Sequence, residues 1–219
     1  MKYKFFECKD AKFITRLDSN DYAIINEIYG LSCYLNHPRL EILEGDVVMD
    51  IGAHIGSFSI LAAKKGAFVY AYEPDPDNYE LLKINIALNR LEHLITPKNY
   101  AVADYNGISK LYRCPTNFGG HSLFHNKFRV LEIDVNVLKF EDEKKPIIDF
   151  LKLDCEGGEY PIILNSNLDN VRQIVMEYHE YENKPMIAKL DSNGFEIICN
   201  SFRALSEQFC LGLLKAVRN

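Results

Sequence analysis

The chain has 219 residues, 47% of them hydrophobic, which is enough to bury one substantial core and is most simply a single domain. Its 25 basic and 31 acidic residues leave a net charge of −6, so no global attraction to nucleic acid is visible, and no apolar run approaches the ~20 residues needed to cross a bilayer. Residues 1–13 are too charged for a signal peptide, and Cys8, Cys33, Cys114, Cys155, Cys199 and Cys210 form no C-x-x-C pair or metal-ligand spacing, so a soluble cytoplasmic protein with reduced thiols is expected.

Along the chain, residues 1–16 mix charges with aromatics and suit a strand or an edge ribbon. Asp18, Ser19 and Asn20 are candidate N-caps of a helix to about Tyr29, with Tyr22, Ile25 and Ile28 on one face and Gly30 ending it. Residues 31–44 contain His37-Pro38 and precede Gly45, the pattern of an approach segment with a turn or short helix. Residues 1–44 are therefore expected to cap a site carried by residues 45–219.

Val47, Val48 and Met49 form an apolar run suited to a strand buried on both faces, and a helical pattern begins at Ser57 and ends at Lys64, Lys65 and Gly66. Between them, Gly52 and Gly56 allow a sharp turn and close approach of a ligand to the helix N-terminus. Asp50 argues against a phosphate there, and both the third dinucleotide-fold glycine and the phosphate-loop lysine are missing. S-adenosylmethionine fits better, since it has an ammonium, a sulfonium, a carboxylate and a ribose diol but no phosphate. Residues 67–72 read as a second strand ending at Glu73, 21 residues after Gly52, where a carboxylate can accept both ribose hydroxyls. Glycine-rich turns also occur without ligands and Asp50 alone could cap a helix; Glu73 is what favours the cofactor.

Pro74-Asp75-Pro76 supplies a cap and a first-turn proline for a helix to about Asn89, with Tyr79, Leu82 and Ile86 as its apolar stripe, widened by Leu81, Ile84 and Leu88. Residues 98–103 are expected to be the third parallel strand, placing Asn99, Tyr100 and Ala101 near an adenine ring. Residues 108–138 read as an inserted β excursion, with strands at 109–113 and 129–135 around Gly119-Gly120. His121 and His125 in its loop lack the helix that metal ligation at that spacing needs, so a substrate-facing loop is favoured.

Residues 146–153 are another β-rich run, ending in Asp154-Cys155-Glu156-Gly157-Gly158-Glu159 before a helix from Tyr160 to Leu164. Residues 171–176 form a further strand, ending in Glu177-Tyr178-His179-Glu180. Strand ends are where a doubly wound sheet places its site, so the two acidic clusters, if they converge, offer a general base or a hard-metal site. Glu156, Glu159 and Glu180 suit capping or solvent, whereas Asp154, Glu177 and His179 are the candidate catalytic groups. A helix over 185–193, closed by Gly194, and strands at 195–200 and 207–217 complete the chain.

Three blocks together resemble the FkbM family of S-adenosylmethionine-dependent methyltransferases: Gly45-Asp46-Val47-Val48-Met49-Asp50-Ile51-Gly52-Ala53-His54-Ile55-Gly56, Tyr72-Glu73-Pro74, and Leu151-Lys152-Leu153-Asp154-Cys155-Glu156-Gly157. The first block is common to many methyltransferases; its combination with the third is more specific. His54 stands where the family often has Asn. The resemblance implies a Rossmann-like class I methyltransferase fold, a three-layer α/β/α sandwich with a mostly parallel seven-stranded sheet whose last strand is antiparallel. It implies cofactor contacts from Asp50, Gly52, Ala53, His54 and Gly56, from Glu73 and Pro74, and from Ala101 and Asp154.

Methyl transfer to a hydroxyl of a sugar or other small natural-product acceptor is the activity it implies. His179 or Glu177 would serve as base, or would join Asp154 around a Mg²⁺ that lowers the acceptor's pKa. Two other readings remain open. An RNA methyltransferase would share the glycine loop and acidic strand ends, but the chain lacks an Asn-Pro-Pro-aromatic motif and a basic appendage; a protein that binds the cofactor without catalysis would share every motif.

Overall fold

The computed structural model describes residues 2–115, 117–125, 128–143, 145–179, 183–206 and 209–218, with only the backbone course given for 202–206 and 209–211. An antiparallel hairpin of β1 (Tyr3–Cys8) and β2 (Ala11–Arg16) leads into α1 (Asp21–Tyr29). The first two sheet units follow as β3 (Val47–Ile51), α2 (Ser57–Lys64), β4 (Phe68–Tyr72) and α3 (Pro76–Leu88). Next come β5 (Ile95–Lys98), β6 (Ala101–Ala103), β7 (Gly107–Arg113), β8 (Leu131–Lys139) and the short α4 (Phe140–Glu143). The chain continues with β9 (Ile148–Leu153), α5 (Glu159–Asn165), β10 (Val171–Tyr178), α6 (Lys184–Ser192), β11 (Phe195–Ser206) and β12 (Phe209–Arg218).

Among the described residues, seven strands form one sheet in the order β11-β12-β10-β9-β3-β4-β5. The pairs from β10 to β5 are parallel, and β12 runs antiparallel to both β10 and β11. Strand periodicity separates two cores. Val48, Phe150 and Val175 face one layer with Phe58 of α2, Leu82 and Ile86 of α3, and Ile25 of α1. Met49, Leu151, Leu153, Ile174 and Met176 face the other with Ile162 and Ile163 of α5 and Met186 and Leu190 of α6. The result is the expected three-layer α/β/α sandwich, a Rossmann-like architecture with a mostly parallel sheet and an antiparallel strand.

Several local expectations are corrected. The third parallel strand is β5, not residues 98–103: Ala101–Ala103 leaves the main sheet and pairs with β8 in a second, three-stranded sheet of order β6-β8-β7. Pro97 lies in the edge strand, where a missing N–H is tolerated, and the Asn99 side chain donates to the carbonyls of Glu73 (2.8 Å) and Pro74 (3.0 Å), turning the chain away. In α1 the buried face is Asp21, Ile25, Ile28 and Tyr29, while Tyr22 is exposed and meets Phe6 edge-on. In α3, Ile84 is exposed and the polar Asn78 and Asn85 are buried beside Leu82 and Ile86, because their amides bond loop backbone. Glu180, expected at a strand end, and Glu207, expected to begin the last strand, lie outside the described residues.

The first 44 residues pack on the α2–α3 layer. Ala11, Phe13, Tyr34, Leu40 and Ile42 join its core, and the Asn85 amide group accepts from Ile14 N–H and donates to the Ile55 carbonyl. At the far end of the chain, the buried Lys215 of β12 donates from Nζ to the Cys33 carbonyl (2.7 Å) and to the Asn36 side chain. No helix among the described residues is long and apolar enough to cross a membrane.

Candidate active site

A cavity of about 530 Å³ opens at the carboxyl ends of β3, β4, β9 and β10, where a doubly wound sheet concentrates its loops. Its floor is the turn after β3. Gly52 and Ala53 both donate their N–H groups to the Tyr72 carbonyl, at 3.0 and 2.9 Å, which ties the loop to the end of β4. Gly52 has φ +82°, and a Cβ there would lie 1.8 Å from the Asp154 carbonyl oxygen, so glycine is what lets β3 and β9 close together here.

Asp50, expected at the cofactor, is fully buried beneath the loop. It accepts from Ser59 Oγ (2.6 Å) and faces Lys152 Nζ at 3.0 Å, and Lys152 donates in turn to the Gly52 carbonyl at 2.7 Å. Burial alone would depress the Lys152 ammonium, but Asp50 and Asp154 outweigh it and hold the group at about 12. Lys152 borders the cavity; Asp50, Ala53 and Gly56 lie behind the wall. Gly56 instead gives α2 its close approach to Leu82.

Glu73 sits at the wall with Pro74 and Ala101. Its carboxylate accepts from His54 N–H (2.8 Å) and Asp75 N–H (2.9 Å), and burial, with the neighbouring Asp75 charge, pushes it up to about 7. The His54 ring meets Arg16 Nη2 at 3.1 Å and Asp21 Oδ1 at 3.3 Å, while its Nδ1 is buried without a partner; burial lowers its pKa and keeps it neutral. Above them, Phe118 is stacked under the Arg16 guanidinium at 4.1 Å, and its backbone bonds Asn20 and Asn78, so residues 117–121 roof the cavity between α1 and α3. His121 accepts from Cys114 N–H at 3.1 Å and burial pulls it down to about 3, while His125 meets Tyr112 edge-on.

At the other end the two acidic strand ends do converge, because β9 and β10 pair with Met176 opposite Leu153. His179, 6% exposed at its side chain, has Glu156 at 3.4 Å, Glu177 at 3.7 Å and Glu159 at 3.7 Å. Burial opposes its charge, but the contact to Glu159 and the surrounding carboxylates outweigh this and raise it. Glu159 is held by the N–H groups of Cys155 (2.6 Å) and Gly157 (2.8 Å), and Glu156 by Arg129 at 2.6 Å. Glu177 is raised, by burial first and by Asp154 second. Asp154 Oδ2 accepts from the Tyr34 hydroxyl at 2.8 Å.

Arg16, Asp21, Tyr34, Arg129 and Lys152 build the site beyond the residues expected there. Lys152 carried a signal, a lone cation between Leu151 and Leu153 in an apolar strand; Arg16 and Tyr34 reach the site only through tertiary packing.

A family model described as the methyltransferase FkbM domain matches residues 50–197. The chain is 27% identical to the 31-O-demethyl-FK506 methyltransferase FkbM of Streptomyces tacrolimicus, over 80% of this chain and 82% of that protein. It is 25% identical to the hexuronic acid methyltransferase AglP of Haloferax volcanii, over 70% and 64% of the two chains. A tRNA (guanine(37)-N(1))-methyltransferase of Candida albicans is 31% identical over 50% of this chain, but only 24% of that enzyme is spanned. Among solved structures, M. jannaschii TYW2 in complex with AdoMet superposes with a TM-score of 0.51 at 17% identity, over 99% of this chain and 87% of that one, a likeness of fold.

Proposed function

We propose, from the premise that this chain belongs to the FkbM methyltransferase family, that it O-methylates a hydroxyl of a sugar or other small natural-product acceptor. It is an S-adenosylmethionine-dependent methyltransferase; the acceptor class is our inference. The observation that carries it is one cavity joining Gly52, Glu73, Pro74 and Ala101 at one end to Asp154, Glu177 and His179 at the other. Its volume, about 530 Å³, lies in the range of small-molecule sites. The activities named for the two relatives matched over most of their length, on 31-O-demethyl-FK506 and on a hexuronic acid, favour a small hydroxylated acceptor.

S-adenosylmethionine, when bound, supplies a methyl group already activated by its sulfonium. The residues fit it: a glycine turn a Cβ would block, a buried carboxylate able to accept a diol, and an idle His54 Nδ1 on the wall. In this reading Glu73 accepts the ribose hydroxyls and Pro74 and Ala101 border the adenine. Gly52, fixed by Lys152 and through it by Asp50, presents the methionine moiety to Asp154. Ala53, His54 and Gly56 shape the turn rather than all touching the ligand. Asp154 orients the acceptor hydroxyl and Glu177, beside His179, takes its proton, so that positioning and proton removal are the protein's main contributions. Residues 1–44 form the cap through Arg16, Asp21 and Tyr34, residues 45–219 carry the site, and the excursion at 108–138 selects the acceptor.

Calorimetric titration with S-adenosylhomocysteine tests the cofactor half. We expect binding by the wild type and at least tenfold weaker binding by Glu73→Ala; a folded wild type that does not bind would overturn the reading. Product formation across a panel of hydroxylated acceptors then separates an enzyme from a silent binder. An RNA methyltransferase would also shift labelled tRNA in a gel at stated salt, which the carboxylates Glu27, Asp154, Glu156 and Glu177 at the cavity make unfavourable.

A further inference from the structure

We propose that the carboxyl ends of β9 and β10 hold a divalent transition-metal cation, ligated by Asp154, Glu159 and His179. One atom from each of the three lies within 4.8 Å of the others, a spacing that bonds of about 2.0–2.2 Å close with small side-chain adjustments. The independent observation is the histidine. Its side chain is 6% exposed and borders the cavity, and Nδ1 has no hydrogen-bond partner although Glu159 Oε1 stands 3.7 Å away. A buried ring nitrogen facing oxygens too far away to bond is costly as a mere ion pair and is the arrangement a cation would complete.

The ligands are also held from behind, as metal ligands are. Two backbone N–H groups fix Glu159 and leave it lone pairs to spare. The Tyr34 hydroxyl bonds Asp154 Oδ2, and Arg129 pairs with Glu156, whose Oε2 stands 3.4 Å from His179 Nε2. One imidazole with two carboxylates suits Mn²⁺ or Zn²⁺ better than Ca²⁺ or Mg²⁺. The role assigned to the cation rests on the methyl-transfer reading, though its site does not: it would draw the acceptor hydroxyl to it and make that proton easier to remove. The proton then passes to Glu177, the oxygen lone pair forms the bond to the methyl carbon, and the carbon–sulfur electron pair stays on sulfur. The cation is unchanged.

The test uses the full chain, stripped with EDTA and titrated with MnCl2 alone, with free Mn²⁺ read by electron paramagnetic resonance. We expect one Mn²⁺ per chain. Asp154→Asn and His179→Gln should each weaken it tenfold or more, and Tyr34→Phe about tenfold through Asp154, the usual effect of removing a group behind a ligand. The exposed Glu132→Gln should leave it unchanged. Thermal melting shows which variants fold; should both ligand variants unfold, Tyr34→Phe decides. A folded wild type that takes up no Mn²⁺, or uptake indifferent to the folded variants, overturns the site. S-adenosylhomocysteine titrated into the stripped protein separates the two ideas: cofactor bound without metal uptake sinks the site alone, and metal uptake without cofactor binding sinks the methyl-transfer reading alone.

Discussion

Lys152 and Asp50 are both almost wholly withdrawn from water and face one another at 3.0 Å beneath the turn after β3. Removing one member of such a pair leaves a buried charge without its counter-charge, so Lys152→Met should cost about 3–5 kcal/mol in urea unfolding. Combining it with Asp50→Asn should recover much of that loss, because the orphaned charge goes too. Glu73 gives a pH signature instead. Burial and the neighbouring Asp75 charge push its carboxyl up to about 7, and in the proposed function only the ionised form accepts both ribose hydroxyls. S-adenosylhomocysteine affinity should therefore strengthen as pH rises from 6 to 8, and calorimetry on Glu73→Gln should show that dependence gone. In the free protein the sign is opposite. A carboxyl raised on folding stabilises the fold below its ordinary value, and that contribution is lost as pH rises through about 7.

At the level of elements, the turn between β3 and α2 is where sequence and structure agree most closely. Gly52→Ala would place a methyl group 1.8 Å from the Asp154 carbonyl and force a side chain to φ +82°. We expect a loss of at least about 1–3 kcal/mol from the backbone strain and loss of cofactor binding, since β3 and β9 must part. Circular dichroism melting and the same calorimetry check both. This turn was legible because glycine spacing and an acidic strand end are local signals. The departure of Ala101–Ala103 was not, since Ala-Val-Ala looks more strand-like than a run holding Pro97, and what decides is an Asn99 side chain reaching back to Glu73. Likewise the stripe of α3 hid its two asparagines, whose partners on Ile14, Ile55 and Phe118 are distant in sequence.

For the whole molecule, the mostly parallel seven-stranded sheet with its antiparallel strand followed from the resemblance, whereas the enclosure of the site came from contacts no local pattern announces: Arg16 on Phe118, Tyr34 on Asp154, Lys152 on Gly52. Residues 1–44 share one continuous core with α2 and α3, including Phe13, fully buried and edge-on to Tyr29 at 5.7 Å. Phe13→Ala should then lower stability by about 3–5 kcal/mol and still unfold in one transition; two separate transitions would show a cap that folds on its own.

The bond from Lys215 to Cys33 joins the N-terminal segment to the strand that fills the gap between β10 and β11. Because β12 follows both neighbours in the chain, a ribosome has made every other strand of the sheet before the β10 edge is covered or the N-terminal segment is fastened to β12. A chain made only as far as α6 thus carries every residue proposed to hold the cofactor yet has an open sheet edge, which makes translation the interval in which this protein most needs protection from sticking to its own copies.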